Sequence, residues 1–493
     1  MNLKSKNLIL LNLLYCYIPL MLFLLGWVKI WIAIPTCLGL VYFLYKFFVN
    51  TENNDSIILN RIVITSGLFI LFAICLSAGM GNWWPQVFDY EKHNAVLQDL
   101  VRFDWPVIYD KYDKALLTYY IGHYLPPALV GKIFGSVRLG DYLMGLWGYL
   151  GVILVSINVM VLVQANNWKK QLLTLVGFLL FSGMLYPLQY ILNIFFSDVL
   201  VYPNSDVSSL GCLSTLYIDG LHLEYRSIFT DIQWVHQQSI IPWLCCSTLM
   251  MQRNNYSNYA LLVLPAFISG TWSFLGIVFI AFVLIFGRLI QSQENVWKQI
   301  FSGSNIFCIL IPGFIFFFYF IGNMIVGNTT SNGSEFALDL SVQHLIYKIL
   351  FALFMFGLYA ILIGKYYRKD LLFWAICIEL TVFPMFSGGD FVMCTSIPSL
   401  FILFVLIIRY LFTDFSQERV KKFFLIVCLI IGARNPLIQI RKAAIHDPYD
   451  HFKEESLLEC TNLDNPEIGN AMKYQYYTYN PDNTIFYKYI MRK

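Results

Sequence analysis

The stretch that decides the fold is residues 259–287, YALLVLPAFISGTWSFLGIVFIAFVLIFG. It is apolar except where Thr271-Trp272-Ser273-Phe274-Leu275-Gly276 interrupts it. A helix needs about 20 apolar residues to cross a hydrocarbon layer roughly 30 Å thick, at about 1.5 Å per residue. The run is too long for one crossing and too short for two full ones. It is expected to form two short helices meeting at a break. Such a break is tolerated only where protein or a watery cavity covers the backbone. Counting the run as one helix would invert the orientation of everything after it.

The rest of the chain agrees with a membrane setting. Of 493 residues, 58% are hydrophobic, 17% aromatic and 13% charged. Soluble domains carry about 25% charged residues, and a water-facing surface cannot hide this much apolar area. Disorder is excluded by the abundance of aromatic and aliphatic residues. A net charge of +3 gives no reason to expect a nucleic-acid partner. Apolar runs place further spans near 8–26, 31–49, 62–80, 142–164, 171–195, 238–252, 304–326, 344–364, 371–387, 395–412 and 422–434. With the broken run counted twice, the expectation is an all-α polytopic membrane protein of about 13 transmembrane helices (range 11–13). The first run has no small-residue cleavage site before Trp27 and is read as a span. Eleven cysteines, eight of them inside apolar runs and Cys212, Cys394 and Cys460 in expected loops, do not form a disulfide framework.

Lys and Arg set orientation. With the N-terminus in the cytoplasm, the short inner loops hold Lys4, Lys6, Lys46, Arg61, Lys169, Lys170, Arg253, Arg288, Lys298, Lys365, Arg368, Lys369, Arg409, Arg419, Lys421 and Lys422, against few acids. The outer side receives loops 81–141 and 196–237, shorter loops at 327–343 and 388–394, and a tail, 435–493. Residues 1–50 form an N-terminal hairpin and 51–434 the core. All seven histidines (His93, His123, His222, His236, His344, His446 and His451) fall in or beside outer segments.

The first outer loop contains Phe88-Asp89-Tyr90-Glu91-Lys92-His93-Asn94. Residues 89–101 have the apolar spacing of a short amphipathic helix lying on the interface. Asp89 and His93 are then i and i+4 on one face. They form either a general base or cation site, or an ordinary pair on a solvated helix. The second loop offers Arg226, then Gln233-Trp234-Val235-His236-Gln237-Gln238 entering a helix. Arg226 and His236 are candidate phosphate contacts; equally, His236 and the glutamines cap that helix. Glu379 sits inside a span, where an ionisable residue is a functional candidate or the partner of a polar group on another helix. Gly388-Gly389-Asp390 is expected to be a tight turn presenting a carboxylate. Asn328-Thr329-Thr330 and Asn332-Gly333-Ser334 match the glycosylation pattern. No phosphate-binding glycine loop or zinc-type cluster is present.

These segments resemble the GT-C superfamily of integral-membrane glycosyltransferases, in particular bacterial enzymes that decorate surface polysaccharides such as lipopolysaccharide O-antigen. The likeness rests on Phe88 to Asn94; on Gln233 to Gln238 with Gly270-Thr271-Trp272-Ser273-Phe274-Leu275-Gly276; and on Gly389-Asp390-Phe391-Val392-Met393-Cys394-Thr395-Ser396-Ile397-Pro398. With the topology it spans most of residues 62–412. The chain departs from the family in having two spans before the first large loop, Asp-x-Glu rather than Asp-x-Asp, and Cys394 where members carry an arginine.

The resemblance implies transfer of a sugar from a polyprenyl-phosphate donor to a cell-surface glycan acceptor, with inversion, on the periplasmic face of the bacterial inner membrane. Asp89 would be the general base and Glu91 its partner, or both would ligate Mg2+ or Mn2+. Lys92, His93, Arg226, His236, Gln237, Trp272 and Asp390 would bind the donor phosphate or substrate. The lipid tail would lie between helices near 259–287, surrounded by membrane lipids. Two alternatives remain: a lipid-linked sugar flippase, for which Glu379 is the one acidic residue well inside a span, and an O-antigen polymerase or ligase. Outer-loop arginines would dominate in the last, whereas these outer loops are richer in acids.

Overall fold

The computed structural model describes residues 2–52, 56–87, 89–110, 114–195, 215–291, 296–327, 338–386, 389–414, 418–445, 454–460, 476–479 and 481–493. The acceptor sequences at 328–334, and Phe88, His446 and His451, lie outside them. Strand β1 (Asn2–Lys4) pairs antiparallel with β2 (Ser56–Ile58), which follows the helical pair α1 (Ser5–Trp27) and α2 (Ile30–Asn50). Then come α3 (Arg61–Ser77), α4 (Tyr90–Arg102), β3 (Ile108–Tyr109), β4 (Ala115–Leu117), α5 (Leu125–Ile133), α6 (Val137–Leu162), α7 (Trp168–Leu180) and α8 (Leu185–Phe195). The hairpin β5 (Thr215–Ile218) and β6 (Leu221–Glu224) leads to α9 (Ile228–Trp234), α10 (His236–Met251), α11 (Tyr259–Val263), α12 (Pro265–Ser269) and α13 (Thr271–Gln291). The remainder is α14 (Val296–Ile300), α15 (Gly303–Cys308), α16 (Phe314–Gly327), α17 (Val342–Ala352), α18 (Leu358–Tyr367), α19 (Leu371–Val382), α20 (Gly389–Leu411), α21 (Arg419–Ile445), α22 (Leu457–Cys460) and β7 (Tyr477–Tyr479).

The chain is a predominantly helical polytopic membrane protein with little sheet. Among the described residues, nine helical segments are long and apolar enough to cross a bilayer, and Arg61–Ser77, Tyr256–Ser269 and Leu371–Met385 are shorter apolar ones. The 259–287 run breaks at Gly270, whose backbone is extended (φ −178°, ψ 113°). Phe267 and Phe274 stack face to face across the break, 4.3 Å apart. Arg288, near the far end of α13, lies within electrostatic reach of Tyr256, so the chain reverses at Gly270.

A second break was not expected. The run 171–195 is interrupted at 181–184, between α7 and α8. Its backbone groups find partners in protein: Ile228 N donates to Phe181 O (3.2 Å), Met184 N to Phe354 O (3.2 Å) and Tyr359 Oη to Ser182 O (2.9 Å). Gly183 packs on the Met355 backbone, where a Cβ would stand 2.7 Å from Met355 O. This is the condition under which non-helical backbone survives at membrane depth.

Two further boundaries move. Helix α21 continues to Ile445, so the tail starts eleven residues later than the expected 435, and Arg434, Asn435, Arg441 and Lys442 are helical. Gly389 and Asp390 open α20 rather than forming a turn, and Cys394 is buried in that helix, not in a loop.

The core lies between α6, α10, α13 and α20; the span of α20 is buried along its whole length. Helix α1 reaches the same core, whereas α2 is mostly exposed on the flank. Buried Asn12 of α1 donates to Asn158 Oδ1 of α6 (2.8 Å) and Thr248 Oγ1 of α10 (3.2 Å), and Asn158 Nδ2 returns a bond to Asn12 Oδ1 (2.8 Å). At the end opposite β1–β2, Gly81 (φ +76°) lies against Gly145 of α6, where a Cβ would meet Gly145 Cα at 2.8 Å.

That opposite end carries a polar cap. β7 joins the sheet in the order β3–β4–β7, and Arg492 N donates to Trp27 O at the end of α1 (2.8 Å). The C-terminal segment therefore shares an end with the first large loop. Helix α4 does not lie half in water; Tyr90, Lys92, His93 and Ala95–Val101 are all buried beneath the cap. Asp99 fixes it, accepting from Tyr109 Oη (2.7 Å), Ser456 Oγ (3.1 Å) and Leu457 N (2.9 Å).

Polar bonds between membrane helices contribute about 1 kcal/mol each. Asn12→Ala is expected to lower unfolding stability in detergent by that amount. Asn158→Ala in the same chain should add little more, because the two share one bond network. Thermal unfolding of the single and double variants measures both.

Candidate functional site

The cap end collects the chemistry. The start of α10, His236-Gln237-Gln238, lies between α4 and the Gly270 break. Tyr90 Oη bonds His236 Nδ1 (3.2 Å) and Gln237 Nε2 lies 3.1 Å from His93 Nε2. Tyr124 Oη reaches the other His93 nitrogen (2.9 Å). Ser269 Oγ donates to Gln237 O and Ser273 Oγ to Gln238 O (3.1 Å), tying both sides of the break to α10. His123, on the short turn Gly122–Tyr124, brings its ring within 5.3 Å of the His236 ring. Burial, and for His93 also the nearby Lys92 charge, holds both His93 and His123 down at about 3, so both imidazoles are neutral at physiological pH.

A second group lies on the β5–β6 hairpin and α9. Arg226 Nε donates to Glu224 Oε1 (2.5 Å), and its guanidinium stands 5.7 Å over the Trp234 ring. His222 Nε2 is 3.4 Å from Glu224 Oε2. The His222 ring occupies the space beside Gly389, where a Cβ would clash at 2.1 Å. Burial alone would raise the Glu224 carboxyl, but Arg226 and His222 bring it down to about 2. Asp231 is pushed the other way, to about 8, by burial and by the Glu224 charge, against the pull of Arg226. Asp231 is therefore mostly a neutral acid at pH 7 and donates rather than only accepts. Arg226 Nη1 is buried without a hydrogen-bond partner among the described residues. Cys394 Sγ donates to Gln238 Oε1 (3.2 Å) and lies within electrostatic reach of Asp390, Arg226, Asp231 and Glu224, so α10 and α20 join the two groups.

The expected site residues thus divide. His93, His236 and Gln237 meet directly. Arg226 joins Glu224, and Trp272 packs edge-on against Phe391 (5.2 Å) one residue from Asp390, which is exposed. Lys92 is buried under the cap. Asp89 is half-buried and, among the described residues, makes no ion pair or side-chain hydrogen bond; only its backbone carbonyl is used, by His93 N (3.2 Å). So the Asp89 and His93 side chains do not pair. Glu91, the expected partner of Asp89, is exposed. Residues i and i+2 on a helix do not face each other, so Asp89 and Glu91 do not converge. They do not suit Mg2+ or Mn2+, which take about six oxygen ligands. Among the described residues no three His, Cys, Asp or Glu side chains could hold a metal.

Glu379 is fully buried in α19 beside Ser399 of α20, against the bare face of Gly276 in α13. It faces a polar neighbour inside the bundle rather than the cap.

Sequence reasoning gave no role to two participants, Tyr90 and Tyr124, each of which holds a histidine. Outside these groups, Arg434 stacks 3.6 Å over Tyr186 with Nη1 buried and unpartnered among the described residues.

Asp231 generates a pH test. Its folded value of about 8 exceeds an unfolded value of about 4. Its contribution to stability is complete below about pH 4 and is lost as pH rises through about 8. Melting temperature is expected to fall over that window, and Asp231→Asn to reduce the slope. A parallel variant, Glu224→Gln, strands the Arg226 charge and should cost about 3 kcal/mol at neutral pH, read by thermal unfolding of the purified protein.

No family model matches the sequence, and neither a curated protein nor a solved structure matches it.

Proposed function

We propose that the protein is a membrane glycosyltransferase of the GT-C type. It takes a sugar from a polyprenyl-phosphate donor and passes it to a surface glycan acceptor on the outer face of a bacterial inner membrane. The chain makes 13 crossings in this reading: the nine long helical segments, the three shorter apolar ones and α10. The N-terminus is cytoplasmic and the cap extracytoplasmic, as the basic inner loops favour.

The observation that carries the proposal is the state of Asp89. Among the described residues the other acids of the cap are engaged, buried or exposed: Glu224 is held by Arg226, Asp339 by His344 and Lys348, and Asp99 by Tyr109 and Ser456. Asp89 is half-buried and unengaged among the described residues, at the start of a helix that is mostly buried. Tyr90, the next residue, is held by His236, which limits the freedom of the backbone that carries Asp89.

In the proposed reaction the Asp89 carboxylate accepts the proton of an acceptor hydroxyl. The hydroxyl oxygen attacks the anomeric carbon from the face opposite the phosphate. The bond between that carbon and the phosphate oxygen breaks, configuration inverts, and polyprenyl phosphate leaves. Arg226 Nη1 and the protonated Asp231 carboxyl are donors for the departing phosphate.

General-base catalysis contributes about 10²–10⁴-fold. Asp89→Asn, expressed at wild-type level in membranes, is expected to reduce sugar transfer from the lipid-linked donor by that factor. Glu91→Gln should leave it within a few-fold of wild type. Unchanged transfer by Asp89→Asn would remove Asp89 as the base.

A further inference from the structure

His93, His123 and His236, the histidines gathered at the start of α10, are not accounted for by phosphate binding or by proton transfer. The His93 and His123 imidazoles, held at about 3, are poor bases at pH 7 and carry no charge for an anion. Nor is the hydrogen bonding of His123 and His236 complete. His123 is fully buried, and both of its ring nitrogens lack a partner among the described residues. His236 is 2% exposed and its Nε2 is likewise unpartnered. Gln237 is fully buried; its amide nitrogen is committed to His93 and its Oε1 has no partner. Four polar atoms in one neighbourhood, on two rings 5.3 Å apart and the residue next to one of them, are thus left over. Unmet buried polar atoms are individually costly, and native interiors leave few of them.

The chemistry of the set selects its ligand. A neutral imidazole offers one N–H donor and one lone-pair acceptor, and the amide oxygen offers only acceptance. An anion would face the two acceptors, and an apolar group would leave all four atoms unmet. A hydroxyl both donates and accepts, which matches a set that mixes imidazole nitrogens with an amide oxygen. The orientation is fixed from behind: Tyr90 holds His236, Tyr124 and Gln237 hold His93, and Ser269 holds the Gln237 carbonyl at the Gly270 break. The set also stands in the same cap as Arg226, joined to it through the next residue, Gln238, and Cys394.

We infer that His123, His236 and Gln237 form a carbohydrate hydroxyl-binding subsite, in which two imidazoles and an amide oxygen read the hydroxyl pattern of a sugar ring. The inference rests on the transferase reading for its setting but not on Asp89 for its chemistry. It makes His123 a binding residue, one that the sequence motifs do not single out.

The test uses the full-length Asp89→Asn protein in lipid nanodiscs without a lipid-linked donor, so that no turnover occurs. The probes are glucose, galactose, mannose and N-acetylglucosamine, followed by saturation-transfer difference NMR at neutral pH. At least one sugar is expected to give ring-proton signals. Adding His123→Phe, which keeps a ring of similar size without polar atoms, should abolish them. His123→Gln, which keeps a donor and an acceptor, should retain part. Thermal unfolding confirms that each variant is folded; His123→Phe is expected to melt no lower than its parent, because it removes unmet polar atoms. Signals that survive His123→Phe, or no signal from any of the four sugars, overturn the subsite. Either result leaves the transferase reading to stand or fall on the Asp89→Asn activity measurement.

Discussion

A peptide N–H or C=O inside hydrocarbon has no water to bond, so every one must be satisfied by the protein. That constraint shapes this molecule most where its helices stop. At Gly270 the backbone leaves helical geometry and the chain turns back, with Ser269 and Ser273 bonded to the carbonyls of Gln237 and Gln238. At 181–184 the freed groups are met by Ile228, Phe354 and Tyr359. Each break is therefore a point where separate helices are tied by polar bonds. The Gly270 break is tied to the start of α10, where His236, Gln237 and Gln238 bring α4, α12, α13 and α20 into one polar neighbourhood.

From that neighbourhood the cap is built outward. Buried α4 is held at one end by Tyr90 on His236 and near the other by Asp99, which draws in Ser456 and Leu457 of the C-terminal segment. β7 extends the small sheet, and Arg492 closes onto Trp27. On the other flank the β5–β6 hairpin is pinned at its tip, where His344 bridges Asp219 (3.4 Å) and Asp339 (2.5 Å), and in its body, where His222 fills the space left by Gly389. The charges of the cap are sorted by these ties. Burial makes Asp231 a neutral acid while Arg226 keeps Glu224 ionised, although the two carboxyls share one small site.

The membrane character, the polar end of the molecule and the break near 270 were legible because hydrophobicity, charge sorting and run length are properties of residue types counted along the chain. The 181–184 break was not, since Ser182 and Gly183 sit inside a continuous apolar run and their need for Met355 and Tyr359 is purely tertiary. Helix α21 was cut short because Arg434 and Pro436 look like a boundary, yet Arg434 stacks on Tyr186 and Asn435 reaches Ser182 (3.4 Å). Within the site, His93, His236 and Gln237 were legible as unusual polar residues beside spans. Their partners Tyr90 and Tyr124 were not legible, because nothing along the chain tells which of its many tyrosines reach a histidine, and the burial of the helix that carries Asp89 and Glu91 was understated by its amphipathic pattern.

The central claim is that the chain reverses at Gly270 and so places all of this chemistry on one membrane face. Labelling of single cysteines by a membrane-impermeant maleimide in spheroplasts of intact inner membrane tests it directly. Asp104→Cys and Asn166→Cys report the two sides before the break; Leu340→Cys and Lys369→Cys report them after it. Reversal predicts that Asp104→Cys and Leu340→Cys label in intact spheroplasts, and that Asn166→Cys and Lys369→Cys label only after permeabilisation. Labelling of Lys369→Cys together with protection of Leu340→Cys would mean a single crossing through 259–287 and would contradict a one-sided site.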